Sequence, residues 1–180
     1  MRIIGGKLKG HRFAPPKGFP SRPTTDFAKE GLFNILENEL DFSNLEVLDL
    51  FSGTGNITFE FVSRGVKSII SVDSNLRCVR FVRQFAKEYN YNQMMTAVKA
   101  DALKFIENNT KTYDVIFADP PYDLNVHKDI VDNILKGDSL KTNGLFILEH
   151  SKKDSFKTHP NYVKERNYGG VVFSFFKLDV

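Results

Sequence analysis

From position 45 onward the chain alternates short, continuous apolar runs with longer stretches whose apolar residues recur every three or four positions. The runs 47–51, 68–72, 97–99, 115–118 and 145–148 have the length of buried strands. Between them, 57–63, 75–89, 102–108 and 126–135 carry helical spacing. Strands that are apolar on both faces and alternate with helices predict an open, doubly wound, mainly parallel α/β sheet covered on both sides. The chain closes differently. Segments 162–166 and 171–178 read as strands joined by Gly169-Gly170, a hairpin signal that predicts an antiparallel end to a seven-stranded sheet.

Residues 1–23 break this rhythm. Gly5-Gly6, Gly10, Pro15-Pro16, Gly18, Pro20 and Pro23 permit short strands or a hairpin but no long helix. After Pro23, Thr24 or Thr25 can cap a helix whose apolar stripe is Phe27, Ala28, Gly31, Leu32, Ile35 and Leu36. The expected organisation is a basic arm over 1–23 belonging to one domain that continues over 24–180.

Composition narrows the class. With 180 residues, 41% hydrophobic and 26% charged, the chain has the balance of one soluble domain, which excludes a disordered chain, a fibre and a disulfide scaffold. Cys78 is the only cysteine, so no internal disulfide forms, and the four histidines show no metal-ligand spacing. The segment beginning Met1-Arg-Ile-Ile lacks the apolar core of a secretory signal. No apolar run approaches the ~20 residues of a membrane span. A cytoplasmic protein without a metal is therefore expected.

The net charge of +3 is unevenly spread. Residues 1–30 hold Arg2, Lys7, Lys9, Arg12, Lys17, Arg22 and Lys29 against Asp26 and Glu30, a net +5, which leaves −2 on the remainder. That asymmetry points to a polyanionic partner such as nucleic acid.

Two motifs carry chemistry. Run 47–51 leads straight into Ser52-Gly-Thr-Gly-Asn56, a turn that lets backbone approach a ligand at the start of a helix. The Lys-Ser/Thr ending of a phosphate loop is absent, Thr58 stands where a dinucleotide fingerprint wants its third glycine, and Asp49 suits a cationic ligand. Asp73 follows the first glycine by 20 residues, the distance of a ribose-binding acid, and Asp101 could reach an adenine amine or cap the next helix. The second motif, Asp119-Pro-Pro-Tyr122, falls on the same sheet edge. Its prolines remove two amide donors, so the Asp119 carboxylate and the Pro120 carbonyl face a substrate amine while Tyr122 offers a ring for stacking a base. Glu149-His150 ends the fifth strand on that edge and could border the same pocket.

The pair Asp-Leu-Phe-Ser-Gly-Thr-Gly and Asp-Pro-Pro-Tyr resembles class I methyltransferases that alkylate exocyclic amines. Residues 2–13, Arg22-Pro-Thr-Thr-Asp26 and Glu30-Gly-Leu-Phe-Asn-Ile-Leu36 resemble the RsmD family, which methylates the N2 amine of a guanine in bacterial small-subunit ribosomal RNA. The resemblance implies a Rossmann-like methyltransferase sheet and S-adenosylmethionine, held by Asp49, Phe51, Ser52, Gly53, Thr54, Gly55, Asp73, Asp101 and Ala102. It implies catalytic roles for Asp119, Pro120 and Tyr122, and ribosomal RNA held by Arg2, Lys7, Lys9, Arg12, Arg22, Thr24 and Thr25. Phe27 stands where the family usually has arginine, and Phe59-Glu-Phe61 replaces Leu-Glu-Ala. Competing readings are a DNA or RNA adenine-N6 methyltransferase, an inactive RNA-binding assembly factor, and a dinucleotide oxidoreductase. The lack of room for a target-recognition domain weighs against the DNA enzyme. Intact Asp119 and turn glycines weigh against the inactive factor, while Thr58 and the Asp-Pro-Pro-Tyr motif weigh against the oxidoreductase.

Overall fold

A computed structural model describes residues 1–15, 18 and 24–178. Its strands are β1 (Glu46–Leu50), β2 (Ser68–Asp73), β3 (Met95–Lys99), β4 (Tyr113–Ala118), β5 (Leu140–Ser151), β6 (Tyr162–Tyr168) and β7 (Val171–Lys177). The helices are α1 (Asp26–Glu39), α2 (Asn56–Ser63), α3 (Leu76–Glu88), α4 (Ala102–Glu107) and α5 (His127–Lys136). The seven strands form one sheet in the order β3-β2-β1-β4-β5-β7-β6. Strands β3 to β5 are parallel and β7 and β6 antiparallel, as the sequence pattern predicts.

Alternate residues of the central strands enter two different cores. Val47, Val115, Phe117, Leu145 and Ile147 face α1, α2 and α3, while Leu48, Ile116, Ala118, Phe146 and Leu148 face α4 and α5. Double-faced burial is why these strands read as unbroken apolar runs. The edge strand β6 instead carries Lys164, Glu165 and Arg166 among its partly exposed residues, which protects an open edge from further pairing. No helix among the described residues is long and apolar enough to cross a membrane.

Three local expectations change. Strand β5 begins at Leu140 rather than 145, because Leu140 pairs with Tyr113 before a register shift leads to the Val115–Leu145 pair. Phe27 lies off the buried stripe of α1, is 68% exposed, and meets the edge of Tyr168. Its place on the inward face is taken by Lys29, whose side chain is 1% exposed. Lys29 therefore adds nothing to the electropositive surface counted over residues 1–30.

The arm is fastened to the domain. Ile3 donates to His11 O (2.9 Å), Phe13 donates to Met1 O (2.9 Å), and Arg2 bridges Arg12, so residues 1–13 fold back on themselves. Ile3 is buried, and Phe13 packs edge-on against Phe85 and Tyr89 at ring separations of 4.8 and 5.6 Å. Phe13 thus serves packing. Lys17 and Arg22 lie outside the described residues.

Candidate active site

The glycine turn is shaped by backbone that ordinary residues avoid. Phe51 has φ +59°, Gly53 +51° and Gly55 +80°, three left-handed residues within five positions. For Phe51 this conformation is strained, a feature that clusters at functional sites. Ser52 N–H reaches across to Val72 O (3.0 Å), and its hydroxyl accepts from Ser71 (2.7 Å). Gly55 caps α2 and must stay small, since a Cβ there would lie 2.8 Å from the Phe59 ring. Thr54 is buried, with its hydroxyl directed to the Met1 sulfur (3.1 Å), so the arm touches the turn.

Three carboxyl groups stand around this turn. Asp73, at the end of β2, accepts Gly53 N–H on one oxygen (2.8 Å) and Asn75 N–H on the other (2.7 Å). It ties turn to sheet and keeps lone pairs for further donors, while Asn75 itself caps α3. Asp49 is buried and accepts a short hydrogen bond from Thr58. Burial chiefly, with Asp73 adding repulsion, pushes its carboxyl up to about 7. Asp119 follows β4 and is raised well above the carboxylate range, first by desolvation and then by Glu149 and Asp49. Asp101 caps α4 through Lys104 N–H (3.1 Å), and Ala102 is buried behind it. No basic side chain among the described residues offsets Asp49 or Asp119. A pyrophosphate would aggravate this crowding, whereas a sulfonium and an ammonium relieve it, so the residues present fit S-adenosylmethionine.

Parallel pairing puts the second motif beside the first. Leu50 pairs with Ala118, and Asp119 N–H then reaches Leu50 O (3.3 Å). Pro120 is buried, while Tyr122, on the turn Tyr122–Leu124, is 46% exposed with its ring 6.2 Å from that of His127. Burial first, then Glu149, Asp119 and Asp154, hold the Tyr122 hydroxyl up at about 12. The ring thus overlooks an acidic edge. Glu149, 4% exposed, accepts from the Thr24 hydroxyl (2.8 Å), and burial pushes it to about 7. His150 points into the protein, bonded to Ser151 O and Ser174.

Thr24 and Thr25 are committed internally. Thr25 caps α1 through Ala28 N–H (3.2 Å). Behind them lies a buried polar network that sequence reasoning missed. Lys29 donates to Arg2 O (2.6 Å) and Asn56 Oδ1 (2.9 Å) and pairs with fully buried Glu60 at 3.0 Å. Glu60 also accepts Ile4 N–H (2.7 Å) and pairs with Arg64, and Asn56 donates to Thr24 O (2.9 Å). The signal was available: one charged residue stands on the apolar face of each of two helices, and such charges need each other.

Of the basic residues on the arm, Lys7, Lys9 and Arg12 are exposed, and Arg2 is half exposed in an ion pair with Asp26 (3.2 Å). A cleft of about 440 Å³, lined by Arg2, Arg12, Thr24, Thr25 and Asn56 among others, opens between arm and α1. Among the described residues no group of His, Cys, Asp and Glu could hold a metal.

The sheet order, the strained glycine turn and the acceptor-lined edge define a class I methyltransferase that uses S-adenosylmethionine. The chain belongs, more particularly, to the family described as Conserved hypothetical protein 95, whose model matches residues 1–177, and it is an RsmD-family methyltransferase. It is similar to the ribosomal RNA small subunit methyltransferase D of Buchnera aphidicola subsp. Baizongia pistaciae, with 29% identity over 89% of this chain and 82% of that one. A hypothetical protein of Thermus thermophilus shares the fold at a TM-score of 0.85, with 22% identity and 99% of both chains covered. A T. thermophilus 16S rRNA N2 guanine methyltransferase, solved with AdoMet and guanosine, aligns at a TM-score of 0.72 and 17% identity over 99% of this chain and 49% of its own.

Proposed function

We propose that the chain transfers the methyl group of S-adenosylmethionine to the exocyclic N2 amine of one guanine in small-subunit ribosomal RNA. The observation that carries this reading is the acceptor-rich edge built by Asp119, Pro120 and Glu149 beside the glycine turn. An amine entering there finds the Pro120 carbonyl and, once ionised, the two carboxylates as partners for its N–H bonds. The names of the similar ribosomal RNA enzymes agree with it.

A guanine amine is a weak nucleophile because its lone pair is delocalised into the ring. Hydrogen bonds from its two N–H groups to the Asp119 carboxylate and the Pro120 carbonyl favour rotation of that lone pair out of the ring plane. The cofactor supplies an electrophilic methyl on a sulfonium. As the N–C bond forms, the C–S bond breaks, its electron pair stays on sulfur as a neutral thioether, and the amine nitrogen takes the positive charge. That nitrogen then releases a proton to Asp119 or to water. Asp119 need not act as a strong base before transfer; its contribution is orientation in a site with little water. Tyr122 stacks on the base, which must leave its helix to reach the edge. Exposed Lys7, Lys9 and Arg12, with Arg22, hold phosphates.

Mass mapping of ribosomal RNA from cells lacking the gene tests the reading, with the loss of one methyl group from one guanine as the expected result. Asp119→Ala should lower the single-turnover rate at least about 100-fold while cofactor affinity stays within a few-fold. A variant close to the parent rate would remove Asp119 from this role.

A further inference from the structure

Resting on the guanine reading above, we propose that Glu149 is a specificity-determining residue that accepts the N1–H of the acceptor guanine while Asp119 accepts from its N2 amine. The geometry comes from the sheet. Ala118 on β4 pairs with Leu148 on β5, so Asp119 and Glu149 are the next residues on neighbouring parallel strands. Their side chains leave the same face, that of Phe117 and Ile147, and neighbouring strands lie about 4.8 Å apart. Two carboxyl groups so placed match two adjacent donors on one edge of a base.

Their hydrogen-bond partners indicate a site prepared for donors. Glu149 Oε2 is taken by the Thr24 hydroxyl at 2.8 Å, and no described residue donates to Oε1. Oε1 is nevertheless not a buried orphan, so solvent reaches it. The Asp119 carboxylate likewise receives no hydrogen bond from a described residue. Thr24 fixes the orientation of Glu149 from the start of α1, which leaves Oε1 at the edge where the base enters.

Guanine presents N1–H beside its 2-amine. Adenine presents an unprotonated N1 beside its 6-amine, which would set a lone pair against a carboxylate. A site built to accept a donor rejects an analogue that lacks it far more strongly than an apolar pocket can. Asp119 alone accepts from either amine and does not separate the two bases. Glu149 does.

The titratable groups that feel Glu149 are Asp119 at the end of β4 and Tyr122; Asp49 on β1 acts on Asp119, and Asp154 acts on Tyr122 and on His127 of α5. His150, the next residue of β5, is turned to Ser174. Burial pushes Glu149 up to about 7, so its capacity to demand a donor grows as pH rises through neutrality.

The test uses small-subunit particles assembled from unmodified RNA, with either guanine or 2-aminopurine at the mapped acceptor position. 2-Aminopurine keeps the 2-amine and has a lone pair at N1. The wild-type enzyme should prefer guanine in kcat/KM at least tenfold, and this preference should rise between pH 6 and pH 8. Glu149→Gln, whose amide can donate to N1, should reduce the preference at least tenfold by raising transfer to 2-aminopurine relative to guanine. A merely structural role would slow both acceptors alike and leave the ratio unchanged, which overturns the proposal. Equal wild-type rates on both acceptors, or a pH-independent preference, overturn it without any variant, so a poorly folding Glu149→Gln does not shelter it. Wild-type methylation of adenine would overturn the guanine reading itself and this inference with it.

Discussion

Asp49 shows how one buried side chain links stability to ligand binding. Its carboxyl rises from 3.8 to about 7 in the folded protein, so between those values the native state holds a proton that the unfolded chain has lost. Bound protons favour the native state, and this contribution is lost as pH climbs through the window. Asp49→Asn removes the titration while leaving an oxygen to accept from Thr58. Relative to the parent, the unliganded variant should gain stability on going from pH 5 to pH 8, by about 3 kcal/mol for a shift of this size. Denaturant midpoints at the two pH values provide the measure. With a cationic ligand beside it the ionised carboxylate becomes favourable, so parent affinity for S-adenosylmethionine should strengthen as pH rises from 6 to 8. Isothermal titration should find that dependence reduced in Asp49→Asn. An affinity equally pH-dependent in both proteins would detach Asp49 from the ligand.

At the scale of elements, α1, α2 and the arm are joined by the pairing of Lys29 with Glu60. Replacing Glu60 by Gln keeps the shape but removes the charge facing Lys29, and breaking a buried pair in this way costs about 3 to 5 kcal/mol. Burial already lowers the Lys29 value, and Glu60 is the main influence that raises it. In Glu60→Gln it should fall further, so over the window below 10.5 the native state binds fewer protons than the unfolded chain. Stability of the variant should therefore recover as pH rises from 7 toward 10, which chemical denaturation can follow. This network also marks where sequence reading stopped. Strand and helix placement was legible because β1, β2, β4 and β5 bury both faces and leave an apolar run that nothing else resembles. The glycine turn and Asp-Pro-Pro-Tyr were legible because their chemistry is local. Phe27 and Lys29 exchanged their expected places on α1 because the partner that decides the matter, Glu60, lies 31 positions away in the chain. The depth of Glu149 is not legible locally for the same reason, since Thr24, which covers it, lies 125 positions away in the chain.

For the whole molecule, the question is where a polyanion would meet an acidic active-site edge. The count of +5 over residues 1–30 overstates the field available, because Lys29 is inside the protein and Arg2 is paired with Asp26. What remains exposed on the described part of the arm is Lys7, Lys9 and Arg12; Arg12 lines the cleft with Asn56, while Lys7 sits at the other end of α2, where its N–H donates to Ser63 O. The arm also reaches the glycine turn through the Met1–Thr54 contact, and Arg12 shares the cleft with Met1 and Asn56. Neutralising Lys7, Lys9 and Arg12 together should weaken RNA binding broadly across sequences and flatten its log-log salt dependence by roughly 2 to 3, at about 0.7 to 0.9 for each lost contact. Cofactor affinity should not change, because none of the three contacts the glycine turn. The anchoring residues Ile3 and Phe13 are untouched, so the variant should keep the parent melting temperature, and a salt series of RNA-binding titrations isolates the electrostatic effect. An unaltered slope would move recognition to the body of the domain, where exposed Arg77 and Arg80 on α3 follow Asp73. The arm would then be a packing element alone, held by Ile3 and Phe13 and by the Lys29 contact to Arg2 O.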